Sequence, residues 1–106
     1  MVTLSQIEDF GQRLGREFRA EKVILFGSHA QGAATGDSDV DLLVILPFEG
    51  KSVRQSVAMR MRLRPDFPVD LDVRTPKNVR ERLAMGDGFM RDILEHGKVL
   101  YEAGDR

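Results

Sequence analysis

The chain contains no cysteine. Disulfides, thiol catalysis and cysteine-ligated zinc are therefore outside its chemistry. Net charge is also nearly absent, −1 at pH 7, so its total charge gives it no pull toward nucleic acid. No apolar run approaches the roughly 20 residues a membrane helix requires. The opening MVTLSQIEDF lacks a basic segment followed by an apolar one. No signal peptide is expected there, and the reading is a soluble, cytoplasmic protein. Internal repeats and low-complexity segments are missing too. The composition that remains, 42% apolar and 31% charged over 106 residues, suits one globular domain spanning 1–106 with a real core.

The centre of the chain is the stretch from Val23 to Leu46. It reads as strand, Gly27-Ser28 turn, short helix or loop, then a second strand, Val40–Leu46, stopped by Pro47. The second strand is apolar on both faces, which predicts a central, covered position. Asp39 and Asp41 are two residues apart, so on a strand their carboxylates share a face. Two such charges repel each other and resist burial unless a cation or a donor joins them.

Around this centre the periodicity predicts helices and two further strands. Ile7, Phe10, Leu14 and Phe18 mark an amphipathic helix over 4–20, and Ser5 with Glu8 fits a capping box. Gly11 and Gly15 weaken that helix without breaking its stripe. A second helix is expected over 51–64, with Val53, Val57 and Met61 as its apolar stripe and Arg54, Arg60, Arg62 and Arg64 decorating it. Val69–Val73 is a third strand, with Asp70 and Asp72 on one face. Thr75-Pro76 opens a third helix, with Val79 and Leu83 inward. Asp87 caps a last helix bearing Phe89, Ile93 and Leu94, and Gly97 is a C′ residue. Val99–Tyr101 is a candidate edge strand. Alternating helices and strands imply an α/β or α+β domain with one small mixed sheet flanked by helices.

The carboxylates and the turn carry the candidate chemistry. Hard Mg²⁺ takes oxygen ligands, often one or two carboxylates plus substrate phosphates. Asp39 and Asp41 supply two, and Asp70 on the next strand a third. Two ions held there can clamp the attacking and leaving oxygens of a phosphoryl displacement. A surface role, with each Asp paired to an Arg, is the competing reading of an isolated Asp-x-Asp. Gly27 allows close backbone approach, and Ser28 can donate through its hydroxyl and N–H to a phosphate oxygen. Ser38 either caps the carboxylate loop or hydrogen-bonds beside Asp39. His29 lies in the turn, as a ligand contact or an exposed loop residue. Arg74 is a better candidate for phosphate than the arginines of 54–64, which read as a solvated face. His96 suits a helix C-terminus. Tyr101, the sole tyrosine, reads as surface packing.

Gly27-Ser28-x-Ala30-x-Gly32, followed by Ser38-Asp39-x-Asp41-Leu42-x-Val44, resembles the signature of the DNA polymerase β-like nucleotidyltransferase superfamily. The likeness is to its minimal stand-alone members, the MNT proteins. Pro68-Val69-Asp70-Leu71 resembles the third-carboxylate strand of that family, and Ile93 to Glu102 its tail, so the likeness spans nearly the whole chain. It implies a palm-like fold and transfer of a nucleoside monophosphate from a triphosphate such as ATP, with two Mg²⁺ ions. Asp39 and Asp41 would hold both metals, and Asp70 would complete the site and help deprotonate the acceptor. Gly27 and Ser28 would hold the triphosphate, with Ser38 beside them. Asp72 is a rival to Asp70, and the family pattern favours Asp70. Many relatives carry Arg where this chain has Gln31.

Larger relatives append an acceptor-binding domain, which is not expected here. The resemblance implies instead an antitoxin paired with an all-helical HEPN partner, modified on a tyrosine. Two other readings stay open: a non-catalytic module that neutralises its partner by docking, and transfer to a small molecule.

Overall fold

The helix and strand signals resolve, in the computed structural model, into nine elements, and residues 1–104 are described. They are α1 (Leu4–Phe18), β1 (Lys22–Phe26), α2 (Ser28–Gln31), β2 (Val40–Ile45), α3 (Ser52–Leu63), β3 (Val69–Arg74), α4 (Pro76–Ala84), α5 (Gly88–His96) and β4 (Lys98–Glu102). The strands form one sheet in the order β3-β2-β1-β4. β1 runs antiparallel to β2 and β4, and β2 runs parallel to β3. The sheet is thus mixed and flanked by helices, and Val99–Tyr101 does belong to an edge strand. No described helix is long and apolar enough to cross a membrane.

Side-chain alternation splits the core in two. Val23 and Leu25 of β1, Val40, Leu42 and Val44 of β2, and Val69, Leu71 and Val73 of β3 join Ile7, Phe10 and Leu14 of α1 and Met59 and Leu63 of α3. The opposite parity, Ile24, Leu43 and Ile45, packs against Val79, Met90 and Ile93 from α4 and α5. β2 is central and covered on both sides, as its apolar run predicts.

Several local expectations shift. The capping box of α1 is Thr3 with Gln6, not Ser5 with Glu8: Gln6 N–H donates to Thr3 Oγ1 (3.1 Å) and Thr3 N–H to Gln6 Oε1 (2.8 Å). Gly11 and Gly15 do more than weaken α1. Leu100 and Tyr101 of β4 lie directly on them, and a Cβ at either position would collide with those side chains. Tyr101 is therefore seated on a glycine and packed against the larger core. Thr75 and Asp87 cap α4 and α5 as expected. Gly97 ends α5 with φ −69°, not in the left-handed conformation of a C′ glycine, and what requires glycine is contact with Ile24 and backbone oxygens.

The clearest correction concerns α3. Val53, Val57 and Met61 do not face the core but are 72%, 48% and 71% exposed. The inward face is Ser56, Met59 and Leu63. This orientation serves the edge strand β3. Pro68 and Arg74 give their carbonyls to β2, so the carbonyls of Val69 and Val73 point outward. Arg60 Nη1 donates to Val69 O (2.6 Å) and Ser52 Oγ to Val73 O (2.7 Å). Side chains of α3 thus satisfy an edge that would otherwise invite another strand.

Candidate active site

β1 ends at Phe26, and Gly27 turns the chain into α2 with φ 76° and ψ −157°. That backbone conformation is essentially confined to glycine. Space demands glycine too, because a Cβ would run into the Asp41 carboxylate. Phe26 is paired across the antiparallel ladder with Asp41, and Asp41 across the parallel ladder with Asp70. Directly paired residues project from the same face, here the one covered further along by α4 and α5. The two carboxylates therefore stand side by side next to the Gly27 turn.

Asp41 is half-buried, and its pKa is raised. Loss of solvent contributes most, then the negative charges of Asp70 and Asp39, while His29 acts in the opposite sense. Asp39 lies just before β2, exposed and outside the ladder. Among the described residues no group of three His, Cys, Asp or Glu side chains is gathered tightly enough to hold a metal ion. The three-carboxylate chelate expected from sequence is thus not preassembled. The ladder sets Asp41 and Asp70 directly side by side, whereas Asp39 lies in the loop just before it.

Asp72, the rival of Asp70, is engaged elsewhere. Arg74 Nε donates to Asp72 Oδ1 at 2.9 Å, and Arg74 Nη1 donates to Asn78 Oδ1 at 2.9 Å. Arg74, expected to face phosphate, is held by those two partners. Ser28 heads α2. The Ser38 hydroxyl accepts from Thr35 N–H at 2.9 Å and so braces its own loop. His29 Nε2 lies 3.1 Å from Ser38 O, tying α2 to that loop.

A cleft of about 990 Å³ opens over the carboxylate pair. Gly27 and Gln31 line one side, Ser52 and Val53 of α3 another, and Phe89, Asp92 and His96 of α5 a third. Ser28, Ser38 and Asp39 are not part of its wall. The sequence reading missed the walls from α3 and α5. Phe89, carried by the last helix, is exposed and meets Phe26 edge to face, with centroids 5.6 Å apart. The wall carries Asp41, Asp70, Asp72 and Asp92, and among its described residues no lysine or arginine. A polyanion enters such a cleft only if cations accompany it.

The model of the nucleotidyltransferase domain matches residues 5–100. A curated protein of Methanocaldococcus jannaschii, named "putative protein adenylyltransferase", is 29% identical over 97 residues, 90% of this chain and 94% of that protein. Among solved structures, a "putative nucleotidyltransferase" from Sulfolobus solfataricus superposes with TM-score 0.57 at 24% identity, covering 74% of this chain and 71% of that one. A toxin-antitoxin structure with AMP-PNP superposes with TM-score 0.63 at 22% identity, covering 94% of this chain and 75% of that one. At these identities the two structures speak for the fold.

Proposed function

The chain belongs to the nucleotidyltransferase domain family, and from that premise we propose that it transfers AMP from ATP to a protein hydroxyl, a tyrosine of a helical HEPN partner. The observation that carries this is the pairing of Asp41 with Asp70 beside Gly27 at the floor of a cleft large enough for a nucleoside triphosphate. The acceptor oxygen attacks the α-phosphorus, the bond to the bridging oxygen of the β-phosphate breaks, and pyrophosphate leaves. Asp70, exposed at the start of β3, takes the hydroxyl proton. Gly27 keeps the backbone clear so that the triphosphate can lie against the turn.

Mg²⁺ fits the donor set, which is hard oxygen from Asp41 and Asp70, with Asp39 nearby and the substrate phosphates to complete it. Bound there, it would neutralise charge on the phosphates, which the four-aspartate wall cannot do. The protein acceptor follows the name of the archaeal relative, and the antitoxin role follows the resemblance of the motifs. ATP as substrate fits a cytoplasmic setting. Ser28, at the head of α2, is retained as a triphosphate contact, and Ser38 as the brace of the loop that carries Asp39.

The test is to incubate the protein with ATP labelled at the α-phosphate, Mg²⁺ and the protein encoded by the adjacent gene. Wild type labels the partner and Asp41→Asn does not, although both bind it. Equal labelling by the two overturns the role given to Asp41, and binding without labelling by either overturns the transferase reading and leaves docking alone as the function.

A further inference from the structure

Three large apolar side chains at i, i+4 and i+8 on one exposed helix face are an anomaly that the fold does not explain. Val53, Val57 and Met61 form a stripe about 12 Å long on α3. Isolated exposed apolar residues need no account, but a contiguous row does. Val53 belongs both to this row and to the wall of the cleft, so the stripe runs out of the candidate active site along the surface.

The helix that carries the stripe bears charge of one sign only. Between residues 51 and 64 the chain carries Lys51, Arg54, Arg60, Arg62 and Arg64 and no aspartate or glutamate. Arg60 is tethered to β3 and Arg62 lies 3.6 Å from Glu17 of α1. Among the described residues Arg54 and Arg64 enter no ion pair, and both are exposed. Arg54 lies three residues before Val57 on the helix, and Arg64 is the C-cap residue that follows its last turn.

We propose that this face of α3 is where the protein acceptor docks, and that the acceptor presents an apolar ridge rimmed by carboxylates. This rests on the reading of the cleft as an AMP-transfer site. An apolar centre within a charged rim is the layout of a protein interface, and the basic rim selects an acidic partner. Two copies of this chain meeting through the same face would set these cations against one another, which disfavours self-association there. Because the stripe ends at Val53 on the cleft wall, a partner lying along it delivers a hydroxyl to the carboxylate pair without any added acceptor domain.

The experiment replaces Met61 with the photo-crosslinking residue p-benzoylphenylalanine in the full chain, in cells that naturally express it. Met85, 73% exposed at the C-cap of α4, is the control position. Position 61 is expected to capture an acidic protein that the purified enzyme also labels from α-labelled ATP, and position 85 is not. The double variant Arg54→Glu/Arg64→Glu and the variant Val57→Asp should each lower labelling at limiting acceptor about tenfold or more, with unchanged thermal unfolding. Raising salt should weaken capture. The docking assignment is overturned if position 61 captures nothing, nucleic acid or a second copy of this chain. It is overturned too if both variants label the acceptor at the wild-type rate, and in that case AMP transfer itself stands. Capture at 61 that the double variant abolishes, without labelling by any form, keeps the docking surface and removes the transferase reading.

Discussion

The two faces of the sheet are built from the same strands yet do different work. Toward α1 and α3, β2 presents Val40, Leu42 and Val44, all fully buried. Toward α4 and α5 it presents Asp41, Leu43 and Ile45, and the smaller core covers only the latter two. The first face is closed along its whole length. The second is closed at one end and open at the other, where Asp41 and Asp70 stand beside Gly27. Stability and the proposed chemistry thereby fall to alternate residues of one strand. A small protein can hold two repelling carboxylates at a fixed spacing because the opposite face of the same strands is dry and packed.

Neighbouring substitutions on β2 test that division most severely. Asp41→Asn is expected to lower AMP transfer by about 10³-fold or more. Its melting temperature should hold or rise, since the change removes repulsion from Asp70 and Asp39. Leu42→Ala, one residue on and facing the other way, should lose about 2–5 kcal/mol of stability and keep its turnover per folded molecule. Denaturation and kinetics on the two variants decide the matter, and if either change moves both quantities together the faces are not separable. Gly27→Ala touches both properties. It forces an alanine into a glycine-only conformation at a cost of about 1–3 kcal/mol and displaces the Asp41 carboxylate. Turnover should fall on the order of a hundredfold, seen in kinetics below the melting temperature. Gly15→Ala acts on the closed face alone. Its methyl meets the Tyr101 ring, so about 1–3 kcal/mol is lost in a denaturant titration with activity retained in native buffer.

Acid titration gives the smallest effect and has opposite signs at two aspartates. Asp87 is held below its ordinary value by Met90 N–H first, then by Arg82. Its contribution is present above the unfolded pKa of 3.8 and is lost as pH falls through the lower folded value. Asp41 is raised, so the folded state binds its proton more tightly than the unfolded chain does. Stability therefore declines as pH rises from 3.8 through the raised folded value. Melting curves across the acid range should show Asp41→Asn flattening the decline and Asp87→Ala removing the acid-side loss. Identical profiles for wild type and Asp41→Asn would mean that neither burial nor the neighbouring carboxylates raise the Asp41 pKa.

The chain order of elements, the covered position of β2, the caps Thr75 and Asp87 and the carboxylate motif were all legible from local pattern. Those features depend on residues close in sequence, where spacing alone determines which side chains share a face. The inward face of α3 was not legible. Its apolar row, Val53, Val57 and Met61, is regular and yet faces out, while the buried row includes Ser56 and a helix end at Ser52 that reaches Val73 O. What turned α3 was the edge of β3, whose Val69 and Val73 carbonyls lie outside a window of one helix. The partners of Phe89 and Tyr101, Phe26 and Gly15, were not legible for the same reason, since both lie far along the chain.

By itself the sequence determined which residues could act: a Gly-Ser turn, acids spaced to share a strand face, and enough apolar periodicity to bury that strand. Only the tertiary structure decided which of them meet. It paired Asp41 with Asp70 through a parallel register, turned Asp72 to Arg74, left Asp39 outside the ladder and faced the row on α3 outward. Alternation along a strand is a local property of backbone geometry, whereas register and burial depend on which distant segment packs alongside.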